Sequence, residues 1–430
     1  MKPWYWIFPA LLGLAGQAAP AAEFPDLPPL STVEAALADY PAVLAARAGI
    51  REGEANRARQ VAGTYETNVR VLGQRRTLSE TDQAYSEWGV ALERPLRLPG
   101  KARLDEQLGS QEVSQAQIVY GDAMHEAGRT LLKAWFAWQR EVAQTRQWQA
   151  QVEVLKEQAA VAAKRVRAGD ASGLEKSLAE ASLAQAEASL AQSRGRERVA
   201  ASDLAVRFAR IPLPAQPVIA EPQPLTQDRP YWQEQILAHS HELALARAQV
   251  QRERLVAARS GADRMPDPTA GIHYASEFGG RERIVGVSVS IPLPGAARAA
   301  ASEGAQARAE AAASREAGVL RRLEAEIAGT FAVAQSAYDN WHNLRAAAER
   351  VDASANLTAR AYALGEGGIT DVLNARRQAL EGRLAATVAQ IDAVESRYRL
   401  LLDAHQLWPL DGHHDEEAEG VTPVKPMVTN

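Results

Sequence analysis

Cysteine is absent from all 430 residues. That excludes disulfides, thiolate metal sites, a cysteine nucleophile and an N-terminal lipidated cysteine. Aromatic side chains make up only 6% of the chain, while alanine is abundant and charges are spread along it, a composition that suits elongated helices better than two or three globular domains. Long apolar runs are also missing. The one candidate, Trp4 to Ala15, is shorter than the ~20 residues a spanning helix needs. With Lys2 before it, small residues from Gly16 to Ala22 after it and an A-x-A-like site at Ala19 to Ala21, it reads as a secretory signal peptide over residues 1–22. No sign of charge dominates: the formal −5 comes mostly from the tail, where five acids and one lysine follow from Asp411 onward. A near-neutral body makes nucleic acid an unexpected partner. Catalytic signatures are lacking too, with no G-x-S-x-G elbow, P-loop or H-E-x-x-H; no enzyme and no cofactor is expected.

What is present is helix, interrupted twice in the same way. Arg360 to Ala379, RAYALGEGGITDVLNARRQA, breaks at Gly365, Gly367 and Gly368 and resumes through Val372 and Leu373. Glycine passes through positive φ cheaply, and Thr370 and Asp371 can cap and neutralise the returning helix. Arg165 to Ala184 does the same around Gly169 and Asp170, and setting Gly169 on Gly365 brings Glu175 onto Asp371. Both stretches read as tips of long helical hairpins.

The duplication extends over the chain. After a Pro-rich lead, Ser31 or Thr32 is placed to cap a helix, and helix continues from Pro41 to about Ala62. Between Tyr65 and Leu96 the period becomes alternating, with Trp88, Val90 and Leu92 on one face, and this predicts a β-hairpin. A second hairpin is expected from TAGIHYASEF and RIVGVSVSIPL, with Val285, Val287, Val289 and Ile291 on one face. LPGKAR at Leu98 is answered by LPGAAR at Leu293, and each opens ~70 residues without a strong breaker, roughly 100 Å of helix. The offset is roughly 195 to 200 positions throughout, one duplication rather than an array. AEASLAQ occurs twice in succession from Ala179 to Gln192, with Leu183 and Leu190 on one seam, a coiled-coil pattern. The expected division is a first repeat at 23–210, a proline-rich connector at 211–230, a second repeat at 231–408 and a polar tail at 409–430.

Lengths carry the reading further. The helix before each hairpin and the one after each tip, about 22 and 38 residues, together nearly match the long helix at 1.5 Å per residue. They stack end to end beside it, with the hairpin at one end and the tip at the other. Two hairpins leave strand edges that must be covered, and segments of about 10 residues suit an outer-membrane barrel closed by oligomerisation.

This order of helix, β-hairpin, long helix, G-x5-acid tip and returning helix resembles the outer-membrane efflux protein (TolC) family over nearly the whole mature chain. ALGEGGITDVLNARRQAL and the two LPG elements are its most specific pieces. The resemblance implies a mainly α fold with a β-barrel: duplicated coiled-coil hairpins forming a tunnel, and four strands per protomer closing a homotrimeric, twelve-stranded barrel in outer-membrane lipid. It implies a passive conduit in a Gram-negative outer membrane, docked through its tips to a periplasmic adaptor and an inner-membrane efflux transporter, with metal ions or drugs as cargo.

Carried onto this sequence, the resemblance puts Asp371 at a tip carboxylate facing the periplasmic entrance and Asn374 where a second acid is often found. Tyr362 matches a tip tyrosine that helps hold a closed state, and Gly367 stands where some members have an arginine. Glu175, aligned with Asp371, would add carboxylates to a cation-favouring entrance. Gly169, Asp170, Gly365, Glu366, Gly367 and Gly368 form the surface an adaptor would read. Each has a plainer reading: the acids neutralise helix N-termini at about 0.3 to 1 kcal/mol, the glycines form turns, and Tyr362 packs. Trp88 and Tyr274 suit either a lipid interface or protein packing. His413 and His414, in the acidic tail, invite a metal reading, but such a terminus is ordinarily solvated; His239 and His241 suggest a surface or helix-cap role. The competing reading, a periplasmic adaptor or coiled-coil structural protein, predicts a single hairpin flanked by β-rich domains.

Overall fold

The computed structural model describes residues 24–408 and 410. The expected signal peptide and the His-containing tail lie outside the described residues. Among the described residues, eight α-helices and four strands follow one another in a duplicated order. Helices α1 (Leu30–Ala38) and α2 (Pro41–Ala62) lead to strands β1 (Asn68–Leu78) and β2 (Gln83–Pro95), then to α3 (Pro99–Ala168) and α4 (Gly173–Arg207). Helices α5 (Arg229–His239) and α6 (His241–Ala262), strands β3 (Thr269–Glu277) and β4 (Glu282–Ser290), and helices α7 (Ala296–Ala363) and α8 (Ile369–Asp403) repeat the series.

Several local readings need correction. The N-cap of α1 is Pro29, with no side-chain cap, and Ser31 and Thr32 lie inside the helix. Arg229 and Pro230 form the first turn of α5, capped by Asp228. Ile291 falls just beyond β4.

Helix α3 has 70 residues and α7 has 68, about 105 and 100 Å at 1.5 Å per residue. Helices α2 and α4 both lie along α3, and α6 and α8 along α7, while α6 and α8 also pack on α3. Four columns result, in the order α2 with α4, α3, α6 with α8, and α7. The seams are heptadic. Ala179, Leu183, Ala186 and Leu190 of α4 meet Val152, Leu155, Ala159 and Ala162 of α3, spacings of three and four that keep one stripe facing its partner. On α7 every seventh residue is buried from Ile327 through Ala334, Trp341, Ala348 and Ala355 to Tyr362. Alanine at these positions lets the helices approach closely.

The main core lies midway along the rod. There Leu131, Trp135, Phe136 and Trp138 of α3 meet Val33 and Leu37 of α1, Leu204 and Phe208 at the end of α4, and Tyr398 and Leu402 of α8. Asp26 ties this core together: its carbonyl accepts from Trp135 Nε1 at 2.8 Å and Gln139 Nε2 at 2.9 Å, and its carboxylate accepts from Tyr398 Oη at 2.8 Å.

The two hairpins join in one antiparallel sheet, order β1-β2-β3-β4. The register aligns their apolar residues across all four strands: Val69, Leu92, Ile272 and Val287 form one row, and Val71, Val90, Tyr274 and Val285 the next. Val285 and Val287 are 81% and 83% exposed. The opposite face carries Arg70 paired with Glu93, Gln74 with Glu87, and Arg76 with both Glu87 and Glu277. At the base of the sheet Lys101, buried at 2%, bridges Asp263 and Asp267 at 3.0 Å each.

Candidate functional site at the helical tips

The two tips share one backbone motif. Gly169 follows α3 at φ 82°, with its N–H on the Val166 carbonyl at 3.1 Å and the Asp170 N–H on the Arg165 carbonyl at 2.9 Å. Gly365 ends the corresponding turn at φ 84°, with its N–H on the Tyr362 carbonyl at 3.1 Å and the Glu366 N–H on the Ala361 carbonyl at 3.0 Å. This pair of bonds closes a helix C-terminus through a left-handed residue, where glycine alone avoids a Cβ clash. Gly367 and Gly368 are not left-handed, so the positive-φ argument holds for Gly169 and Gly365 only.

The returning helices are capped by different chemistry. Ser172 Oγ accepts the Glu175 N–H at 3.2 Å at the start of α4. Its counterpart in the second tip, Gly368, has no side chain to offer; instead the Asp371 carboxylate accepts the Gly368 N–H at 3.4 Å. Thr370, expected as a cap, lies inside α8. Asp371 thus sits in the first turn, where a carboxylate complements the helix dipole. Asp371 and Asn374, one turn apart, are both exposed on α8.

Tyr362 links the tips. It closes the α7 seam, is only 6% exposed, and packs with Ile369, Val372, Leu178 and Leu373. Its hydroxyl donates to Glu175 Oε2 at 3.0 Å, and the Arg165 guanidinium lies 4.8 Å from its ring centroid. Burial, then the bond to the Glu175 carboxylate, pushes the phenol above its ordinary range. The structure therefore brings Tyr362 and Glu175 together, across the two repeats, while Asp371 and Asn374 remain free of this link. Sequence reasoning missed Arg165. The heptad seam ending at Tyr362 was a legible signal that this tyrosine packs, but no signal in the chain pairs it with Glu175.

Along the rod, His239 ends α5, with its Nδ1 2.9 Å from the Gln235 carbonyl, and His241 opens α6, whose cap is Ser240. Trp88 and Tyr274 pack against each other at 5.5 Å on the apolar sheet face.

The sequence model of the outer membrane efflux protein family matches residues 232–402. No curated protein matches the chain. Solved structures share its fold. The Campylobacter jejuni CmeC outer membrane channel is 12% identical, with a TM-score of 0.72, over 88% of this chain and 85% of that one. The Vibrio cholerae outer membrane protein VceC is 19% identical, with a TM-score of 0.71, over 87% of this chain and 95% of that one. The Neisseria gonorrhoeae MtrE outer membrane channel, in its open state, is 18% identical, with a TM-score of 0.69, over 89% and 88%. The outer membrane efflux protein model thus covers the second repeat, the first repeat builds the same architecture again, and the chain as a whole shares the fold of these outer membrane channels.

Proposed function

We propose that this protein is the passive outer-membrane conduit of a tripartite efflux system. Three copies close a twelve-stranded barrel and a continuous helical tunnel, which receives cargo from a periplasmic adaptor and an inner-membrane transporter. The observation that carries this reading is the sheet: one face is apolar across all four strands, the other is lined by charge pairs, and β1 and β4 each have one unpartnered edge. Unpaired edges beside an exposed apolar face are untenable in water. Pairing β4 of one copy with β1 of the next removes every edge and turns the apolar rows toward lipid. Nine-residue strands β3 and β4 span about 30 Å, or about 23 Å when tilted by about 40°, close to the apolar band of outer-membrane barrels. The helical columns support the same closure, because α7 flanks one side of the protomer and α2 with α4 the other. A periplasmic adaptor would carry one hairpin, whereas two tips and two strand pairs are present here.

At the entrance, Asp371 and Asn374 face the tunnel, and three copies of Asp371 make a ring that favours cations. Glu175 stands behind this ring, held by Tyr362, and adds to the same field. Gly169, Asp170, Gly365, Glu366, Gly367 and Gly368 form the adaptor-docking surface. Cargo, whether metal ions or drugs, is set by the transporter. The test is planar-bilayer recording on detergent-extracted protein whose oligomer mass is measured on the same sample. A trimer giving discrete, cation-preferring steps is expected, with Asp371→Asn reducing the cation-to-anion permeability ratio severalfold. A monomer without steps would overturn the conduit, and unchanged selectivity in Asp371→Asn would remove the carboxylate from the entrance.

A further inference from the structure

Midway along the rod the two repeats solve the same joint with different side chains. In the first repeat the break between α1 and α2 is closed by Tyr40 stacked on Phe208, 5.2 Å between centroids and 11° between planes, and by Arg210 on Asp39 at 2.5 Å. In the second, the break between α5 and α6 meets the end of α8 through four imidazoles. His405, in a left-handed turn at φ 56°, has its ring 5.0 Å from His125, 5.2 Å from His239 and 5.3 Å from His241, and His125 lies 6.1 Å from His241. The site is built to receive these rings: a Cβ on Gly121 of α3 would come within 2.6 Å of the His241 ring. His125 Nε2 lies 3.1 Å from the Leu402 carbonyl, at the end of α8. His125, His239 and His241 line a cavity of about 290 Å³.

We propose that this joint is a proton-operated latch: with neutral imidazoles it holds the start of α6 and the end of α8 against α3, and on mild acidification it lets them part. Imidazoles stacked at 5 Å are compatible when neutral, whereas two or more imidazolium ions at that separation repel. Among the described residues, charges facing the cluster include Asp122, Glu126 and Arg129 from α3, Glu242 from α6, Arg322 and Glu326 from α7, and Arg399 and Asp403 from α8. The guanidinium groups already occupy three of the carboxylates: Arg129 and Arg399 bind Asp403 at 2.8 Å each, Arg129 also binds Glu126, and Arg322 binds Glu242. Burial, then the neighbouring Glu126 and Glu242, pushes the Asp122 carboxyl upward, so counter-charge falls as imidazolium charge rises. Burial, then Arg129, holds His125 down at about 4, from an ordinary 6.5. The folded state therefore favours neutral His125: its contribution is full above the unfolded value of about 6.5 and declines as pH falls toward 4. A metal is the other occupant such rings suggest, but among the described residues no three ligand-type side chains converge to hold an ion.

The test is hydrogen exchange by mass spectrometry on the full-length, detergent-extracted protein at pH 7.5 and 5.5, with rates corrected for intrinsic exchange. Residues 236–245 and 400–406 are expected to exchange about tenfold faster at the lower pH. The first-repeat joint, 36–45 and 204–211, is expected to change less than about twofold, since it contains no histidine. His405→Asn, which tolerates the left-handed turn, and His125→Gln are each expected to abolish most of the difference. Equal responses at the two joints, or full pH dependence in the His405→Asn protein, would overturn the latch. Protection of both segments at pH 7.5 by one equivalent of Zn²⁺ would also overturn it, in favour of a metal site.

Discussion

At the level of single residues, few side chains are decisive, and each is decisive through a partner from the other repeat or a distant element. Tyr362 and Glu175, separated by 187 positions, share one hydrogen bond. Removing either partner is expected to cost about 1 kcal/mol of local stability. Tyr362→Phe and Glu175→Gln are each expected to speed amide exchange at both tips about fivefold, and the double variant no further; additive effects would show that the pair is not coupled. Lys101 is a second case. Replacing it by methionine leaves Asp263 and Asp267 facing each other at the base of the sheet, and a loss of about 2 to 3 kcal/mol is expected, less than for a wholly buried pair because Asp263 is partly exposed. Denaturation of the detergent-extracted protein checks this. Asp26 gives a pH prediction. Burial raises its carboxyl despite the bond from Tyr398, so the folded chain favours the protonated form, and the charge lowers stability once pH rises through the folded value. Asp26→Asn is expected to raise the apparent Tm at pH 8, with the gain shrinking toward pH 4; an unchanged gap across that range would contradict it.

Among elements, the long helices owe their association to small residues at regular intervals rather than to large apolar faces. Ala179 and Ala186 are buried against α3, and a leucine at either would force the helices apart at about 1 to 3 kcal/mol. The tips turn on two left-handed glycines. Gly169→Ala and Gly365→Ala are each expected to cost about 1 to 2 kcal/mol at the turn and to weaken adaptor capture in a pull-down with the cognate adaptor, whereas Gly367→Ala, whose backbone is not left-handed, leaves the turn intact. Both tips and both hairpins were legible in the chain because they rest on local rules: glycine after a helical run, alternation between turns, a seven-residue repeat. The cap of α8 was not, because Thr370 and Asp371 are both plausible caps in sequence and only the start of the helix at Ile369 decides between them.

For the whole molecule, the apolar rows of the sheet argue that the protomer is incomplete alone. Val287 lies on the apolar row of β4, an edge strand of the protomer. Val287→Lys is expected to cost about 2 to 4 kcal/mol if it faces the bilayer midplane, reducing the trimer fraction recovered from outer membranes; Ser288→Lys, on the opposite face, is expected to have little effect on assembly. Equal yields from both variants would deny the lipid-facing assignment.

Periodicity, breakers and duplication were enough to establish the element order, the lengths of the rods, the positions of the tips and the apolar parity of each strand, because each depends on neighbours a few residues away. The joining of the two hairpins into one sheet, the bond between Tyr362 and Glu175, the buried Lys101 and the gathering of His125, His239, His241 and His405 belong to the tertiary structure alone. They arise where segments more than 100 residues apart are brought together by the packing of α3 against both repeats. No local preference in the chain encodes which of its many charged and imidazole side chains will meet there.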